Sequence, residues 1–157
     1  YLFMPRTIAY TDIKRINYII NKCEVCYVGM IDTQGNPYVL PFNFGYENGL
    51  IYLHSGPEGK KIDSLRKNPC VCIVFSTDYV LRYTSENVAC SYGMKFKSVL
   101  AYGKVEFVDN YDDKIRILNV IMKKYTNKEF SYNAPAVRNV VIMQIKVEQF
   151  SCRESGY

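Results

Sequence analysis

The sequence has no tryptophan, a single histidine (His54), and no apolar run near the roughly 20 residues that a membrane helix requires, so no membrane span is expected. Its start, Tyr1-Leu2-Phe3-Met4-Pro5, lacks the basic-then-apolar layout of a signal peptide, and the expectation is a cytoplasmic protein. One histidine offers one imidazole, which makes haem ligation a weak case. Long runs of one charge are missing too. The 20 basic and 15 acidic residues give a net charge of +5, and the basic ones fall in short pairs: Lys14-Arg15, Lys60-Lys61, Arg66-Lys67 and Lys123-Lys124. None reads as a nucleic-acid arm, and a small anionic ligand is the better match. With 48% hydrophobic and 22% charged residues the chain is neither disordered nor fibrous. Its 157 residues suit one domain spanning 1–157, since a chain near 150 residues buries roughly 68–70% of its unfolded surface.

What is plentiful is aromatic: 15 Tyr and 8 Phe favour β-structure and leave flat surfaces on which a planar ligand can stack. The six cysteines are read as reduced thiols, because a chain this large and apolar does not need disulfides. Cys23-x-x-Cys26 is preceded by a helix pattern and followed by a strand, the reverse of a redox motif, and no metal site is expected. Cys70 and Cys72 alternate with Val71 and Ile73 and are taken as core.

Thr11 is placed as the cap of a helix with Ile13, Ile16 and Ile19/Ile20 at helical spacing, ending near Asn21-Lys22. Strands follow at Cys26 to Ile31 and Pro37 to Tyr46, joined by a turn. The Asn48-Gly49 pair then returns the chain as a third consecutive antiparallel strand, Leu50 to His54. A helix within Pro57 to Lys67 is stopped by Asn68-Pro69 before the strand Cys70 to Ser76. Thr77 to Lys95 reads as a long polar loop. Phe96 to Val108 is a strand, and Asp109 or Asn110 caps a helix with Ile115, Leu118, Met122 and Tyr125 on one face. Val140 to Phe150 is the last strand. The expected architecture is mainly β: a six-stranded antiparallel Greek-key barrel with short flanking helices.

One segment breaks a local rule. In His54-Ser55-Gly56-Pro57-Glu58-Gly59-Lys60-Lys61-Ile62-Asp63-Ser64-Leu65 two lysines occupy the first turn of a helix, where the helix dipole disfavours cations. Either they point into water at a cost of a few tenths of a kcal/mol, or a bound anion compensates them, held by free amides, the Ser55 hydroxyl and both ammonium groups. Phosphate is the obvious anion. His54 either packs at the end of its strand or contacts a ligand and moves a proton. Asn43 either finishes a strand or bonds a ligand. Tyr38, Tyr46, Tyr52, Tyr92 and Tyr102 are given no role as stacking platforms.

Pro37-Tyr38-Val39-Leu40-Pro41-Phe42-Asn43-Phe44-Gly45-Tyr46, Ile51-Tyr52-Leu53-His54-Ser55, Gly59-Lys60-Lys61-Ile62-Asp63-x-Leu65 and Asn68-Pro69-x-Val71-Cys72 occur in this order, with Phe96-Lys97-Ser98-Val99, Tyr102-Gly103 and Asp109 to Lys114 beyond them. This pattern resembles the FMN-binding split β-barrels related to pyridoxamine 5′-phosphate oxidase, most of all the nitroimidazole-resistance branch. The resemblance implies a homodimer with an FMN in each of two clefts between subunits. Lys60 and Lys61, with Ser55 and Gly59, would hold the phosphate. The backbone of Val39, Leu40, Pro41, Phe42 and Asn43 would run along the isoalloxazine, while Tyr52, Leu53 and His54 approach from the adjacent strand. The partner would complete the cleft through the Cys90 to Ser98 region, and Ser98 is included among the cofactor contacts. A vitamin B6 oxidase would carry a longer Arg- and Trp-rich end than Phe150-Ser151-Cys152-Arg153-Glu154-Ser155. The implied activity is FMN-dependent reduction of a small, planar, electron-poor acceptor such as a nitroheterocycle, with His54 as catalytic candidate. The alternative is a flavin carrier or sensor without turnover.

Overall fold

The computed structural model describes residues 7–157, and Tyr1-Leu2-Phe3-Met4-Pro5 lies outside them. After a short strand β1 (Thr7–Tyr10), helix α1 (Ile13–Lys22) buries Ile16, Ile19 and Ile20 and leaves Ile13, in its first turn, exposed. Its cap is Asp12 and not Thr11: the carboxylate accepts the Lys14 N–H at 2.9 Å, and a negative charge suits the positive end of the helix. Strand β2 (Cys26–Ile31) turns Cys26, Val28 and Met30 inward, and β3 (Pro37–Phe42) pairs with it along its whole length.

The expected strand from Pro37 to Tyr46 is broken at Asn43-Phe44. The chain leaves β3, crosses, and forms β4 (Gly45–Glu47), which turns at Asn48-Gly49 into β5 (Leu50–Ser55). Both turn residues have positive φ, 51° and 78°, as a tight hairpin requires. Strand β5 is therefore not a third neighbour of β3. The sheet order is β3-β2-β6-β7-β8-β5-β4, with β1 paired to β8, so β3 and β4 are consecutive in sequence but stand at the two ends of the ladder. The sheet curls until those ends meet at a covalent crossover without ladder bonds, which makes a split barrel. The break and β1 raise the strand number to eight, while the mainly β antiparallel character is as expected.

The crossover is held from outside. Phe44 is fully buried, edge-on to Phe75 with centroids 5.0 Å apart. Its N–H, freed from any ladder, donates to the Tyr125 hydroxyl at 3.0 Å, which donates onward to the Glu24 carbonyl at 2.6 Å. Tyr125→Phe removes both bonds and leaves the Phe44 N–H without a protein partner. We expect a cost of about 1–2 kcal/mol and a melting temperature lower by about 3–6 °C, read by thermal denaturation.

Helix α2 (Lys60–Lys67) leads to β6 (Cys70–Arg82), and β7 (Gly93–Val108) returns. The loop expected over Thr77 to Lys95 is largely strand: the two strands pair beyond the barrel as an arm whose tip carries a 3-10 turn at Ala89–Ser91. The register shift between Thr77 and Val80 concealed this, because it breaks the alternation along the strand, and the stretch Thr84 to Asn87 at the tip is polar. Cys70 and Cys72 are exposed and half-buried, not core, since the register turns Val71, Ile73 and Phe75 inward.

Asn110 caps α3 (Tyr111–Thr126) by accepting the Asp113 N–H. Its buried face is Ile117 and Ile121, against Tyr52 and Ile142, rotated from the expected Ile115-Leu118-Met122-Tyr125 face, of which only Leu118 joins that cluster. The helix has apolar residues on several sides, so periodicity admits more than one phase. A short helix α4 (Ala134–Asn139) precedes β8 (Val141–Ser155), which pairs with β1, β5 and β7. No helix among the described residues is long and apolar enough to cross a membrane.

Candidate functional site

Helix α2 begins without a side-chain cap. Gly59 stands at the cap position with φ 118°, a backbone region open to glycine, and its carbonyl takes the first intrahelical bonds, from Ile62 at 3.0 Å and Asp63 at 3.1 Å. The N–H groups of Gly59, Lys60 and Lys61 precede that first bond and point off the helix end, where the dipole is positive. Just ahead, at the end of β5, the Ser55 hydroxyl is buried and, among the described residues, is the one buried side-chain polar atom with no hydrogen-bond partner. An unpartnered buried hydroxyl costs roughly 1–3 kcal/mol, so this arrangement is stabilised by whatever accepts from it.

The two lysines are not equivalent. Lys60 Nζ lies 3.1 Å from an Asp32 carboxylate oxygen and 4.4 Å above the Tyr38 ring. Asp32 is buried in the β2–β3 turn and also accepts the N–H groups of Asn36 at 2.8 Å and Gln34 at 3.0 Å. The Asn36 N–H above all, and Lys60 with it, holds the carboxyl down to about 2, so it stays ionised. Among the described residues Lys61 makes no ion pair with a carboxylate, and it sits 5.5 Å over the Phe42 ring. The first turn of α2 thus bridges the split, carrying Lys60 to Asp32 and Tyr38 and Lys61 to Phe42. Sequence reasoning took Asp32 only as a turn residue. The Asp32-to-Asn36 spacing marks a side-chain-capped turn, but nothing local shows which cation crosses to it.

Strand β3 offers an open edge. The Asp32 N–H donates to the Asn36 carbonyl at 2.8 Å, so Asp32/Asn36 is a hydrogen-bonded pair, and alternation makes Ile31/Pro37, Gly29/Val39 and Tyr27/Pro41 the non-bonded ones. The main-chain groups of Pro37, Val39 and Pro41 therefore face away from β2. Both prolines sit where a missing N–H costs no ladder bond. The edge presents the Val39 N–H as a lone donor among carbonyl acceptors, with the Val39 side chain 59% exposed beside it. Leu40 and Phe42 turn inward, and Asn43 stands at the crossover, exposed beside Cys23 and Lys124.

Other expected site residues lie elsewhere. Tyr52 and Leu53 are buried on opposite faces of β5, in two different core clusters, so their side chains do not approach a ligand on β3; only their main chain is available, from a strand at the far end of the ladder. His54 is exposed on the Tyr52 side, away from Ser55. Lost hydration first, and the charge of Lys61 second, lower its pKa and keep the imidazole neutral near pH 7. Ser98 is on β7, three strands from β3, opposite Ser76 and Arg153, and is not brought to α2 within one chain. Cys23 and Cys26 are buried, and desolvation pushes their thiols up, Cys26 to about 12, which leaves them unreactive. All six cysteines are free, and no cluster fit for a metal ion occurs among the described residues.

The site can thus hold an anion at α2 and a planar heterocycle with exposed polar edges along β3. A family model described as pyridoxamine 5′-phosphate oxidase matches residues 12–154. The structure is similar to that of a "putative 5-nitroimidazole antibiotic resistance protein" from Bacteroides thetaiotaomicron, at 45% identity and a TM-score of 0.88 over 99% of this chain and 91% of that one. Two more distant structures share the fold. A FAD-binding protein from Mesorhizobium loti has 22% identity and a TM-score of 0.69 over 98% and 99% of the two chains. A FAD and heme binding protein from Mycobacterium smegmatis has 14% identity and a TM-score of 0.83 over 95% and 74%. No curated protein matches the chain. A match over nearly all of the sequence, on the strands and helix that build this site, makes the chain a member of the pyridoxamine 5′-phosphate oxidase family.

Proposed function

We propose that the chain binds FMN in a cleft completed by a second copy and acts as an FMN-dependent oxidoreductase on small electron-poor acceptors such as nitroaromatics. The observation that carries this reading is the unpartnered, buried Ser55 hydroxyl at the end of β5, five residues ahead of the uncapped first turn of α2, a combination that suits an anion. The similarity to a "putative 5-nitroimidazole antibiotic resistance protein" supports the acceptor class.

Bound FMN would supply two-electron chemistry. The chain's share is to bind and orient. Lys61, the free amides of the first turn of α2 and the Ser55 hydroxyl hold the phosphate. Lys60, fixed by Asp32, keeps a positive charge on the β3 side without swinging into the cleft. The Val39 N–H and the carbonyls of Pro37, Val39 and Pro41 fix the ring edge. His54, neutral and exposed, can take or give a proton at an imidazole nitrogen. One observation favours the carrier or sensor reading: alternation along β5 puts the His54 side chain on the face opposite Ser55.

Anaerobic photoreduction of the FMN-loaded protein, followed by addition of a nitroimidazole, separates the two. Rapid return of the oxidised flavin spectrum with nitro-group consumption is expected. Tight FMN that no nitroaromatic or quinone reoxidises would leave a carrier, and protein that ignores added FMN would remove the cofactor assignment.

A further inference from the structure

A split barrel has two free edges, and the candidate site takes up only that of β3. The other belongs to β4. Asn48 and Gly49 form a two-residue turn, so Glu47/Leu50 and Gly45/Tyr52 are hydrogen-bonded pairs and Tyr46/Ile51 between them is not. The N–H and C=O of Tyr46 therefore face away from β5, and no other group among the described residues bonds to either. The Phe44 N–H, on the same side of the chain two residues earlier, is taken by the Tyr125 hydroxyl. An unpaired strand edge is a template for a further strand, which proteins blunt or cover where it is not used.

This edge is flanked and not covered. Helix α3 runs close to β4 on one side, where a Cβ on Gly45 would lie 3.1 Å from the side chains of Val120 and Ile121. On the other, the Tyr46 hydroxyl donates to the Asn17 side chain of α1 at 2.7 Å. Between the two helices, hollows of about 370, 490 and 530 Å³ share Glu47 and together border Tyr46 and Asn48. The groove is shut at its Phe44 end. Lys124 Nζ, 4.5 Å over the Phe44 ring, donates to the Asn21 carbonyl at 3.1 Å and so ties α3 to the last turn of α1. Lys123 and Lys124 stand at this shut end, and among the described residues neither makes an ion pair with a carboxylate. Lost hydration lowers the pKa of the half-buried Lys124, with Glu24 opposing it only weakly, a penalty that a bound anion offsets. The open end carries Glu129 and Glu47, the latter 3.8 Å from Arg116.

We propose that this groove binds the carboxyl-terminal end of an extended peptide of a partner protein, added to β4 as an antiparallel strand. Antiparallel addition runs the peptide's end toward Gly45 and Phe44, so its carboxylate arrives at Lys123 and Lys124. Parallel addition would bring that carboxylate to Glu47 and Glu129. One peptide residue exchanges both main-chain bonds with Tyr46. The ladder goes no further, because the next outward N–H, that of Phe44, is occupied and the tie between Lys124 and Asn21 closes the way. A chain that ends there fits, and one that continues does not. The binding rests on main-chain pairing at β4 and on two lysines outside the candidate site, so it is independent of the function proposed above.

Two synthetic libraries of acetylated pentapeptides, one ending in free carboxylates and one in carboxamides, passed over the immobilised whole chain, test this. Selection should enrich sequences rich in Val, Ile, Thr and aromatic residues from the first library only. The best of them should lose about 10-fold or more in affinity when made as its carboxamide, and likewise against Lys123→Glu, an exposed position. Lys124→Met, which keeps the stem over Phe44 without the charge, should weaken it too, with the melting temperature as control. The bound peptide should also shift the Tyr46 amide resonance. Enrichment from neither library, equal enrichment from both, affinity indifferent to both lysine substitutions, or a Tyr46 resonance that stays in place would each overturn the proposal.

Discussion

Replacing Lys60 and Lys61 together by alanine is expected to weaken FMN binding about 100-fold or more, which corresponds to about 2.7 kcal/mol, and to leave the fold in place. Charge-assisted contacts to phosphate are worth roughly 1.5–3 kcal/mol each, and the pair stands in the first turn of α2, where the one ion pair either lysine makes among the described residues is that of Lys60 with Asp32. The Lys60 side chain is more than half exposed and Asp32 keeps two backbone donors without it, so stability should change little. The single variants should differ. Lys60 is already neutralised by Asp32, so Lys61→Ala should weaken FMN binding more than Lys60→Ala. Fluorescence titration of FMN against each variant measures this, with melting temperatures as the control. Unchanged affinity in the double variant would retire the phosphate site, and equal single effects would remove the distinction drawn from the ion pair.

Gly103→Ala is expected to be the most damaging single methyl group in the chain. A Cβ at this position would lie 2.7 Å from the Lys146 carbonyl oxygen and 2.8 Å from a methyl of Ile145, where β7 and β8 shift register. The first is backbone within a ladder and cannot swing away, so the strands must part or the bulge must move. Overpacking of this kind costs about 1–3 kcal/mol, and since the contact is with main chain we expect the upper end. The melting temperature should fall by about 6–12 °C for a chain of this size. Gly93→Ala is the matched control: its Cβ would meet only the end of the Arg82 side chain at 3.8 Å, and it should stay within about 0.5 kcal/mol. A Gly103→Ala protein as stable as the parent would mean that β7 and β8 are less closely paired here than the structure has them.

The distance between reading and structure is largest where strands meet distant strands. Pro37 to Tyr46 is apolar and aromatic apart from Asn43 and Gly45, which by themselves do not fix a break at Asn43-Phe44. The break exists because Phe44 is drawn into the core against Phe75 and its N–H finds Tyr125, eighty-one residues away. The arm was hidden differently. Its strands pair with each other beyond the barrel, and the register shift at Asp78 breaks the alternation that would have marked them. Lys60 and Lys61 were found because their oddity is local: two cations in the first turn of a helix.

What the sequence determined by itself was whatever depends on near neighbours. The α1 stripe, the bounds of β2, the Asn48-Gly49 turn, the start of α2 with its lysine pair, and the pattern shared with the pyridoxamine 5′-phosphate oxidase family were all legible within a few residues at a time. The tertiary structure alone decided that β3 and β4 end opposite sides of one ladder, that Tyr52 and Leu53 are core, and that Asp32 claims Lys60 while Ser55 is left without a partner. Each of these turns on which distant segment supplies a hydrogen bond, a charge or a packing surface, and a residue's own neighbours along the chain carry no record of that.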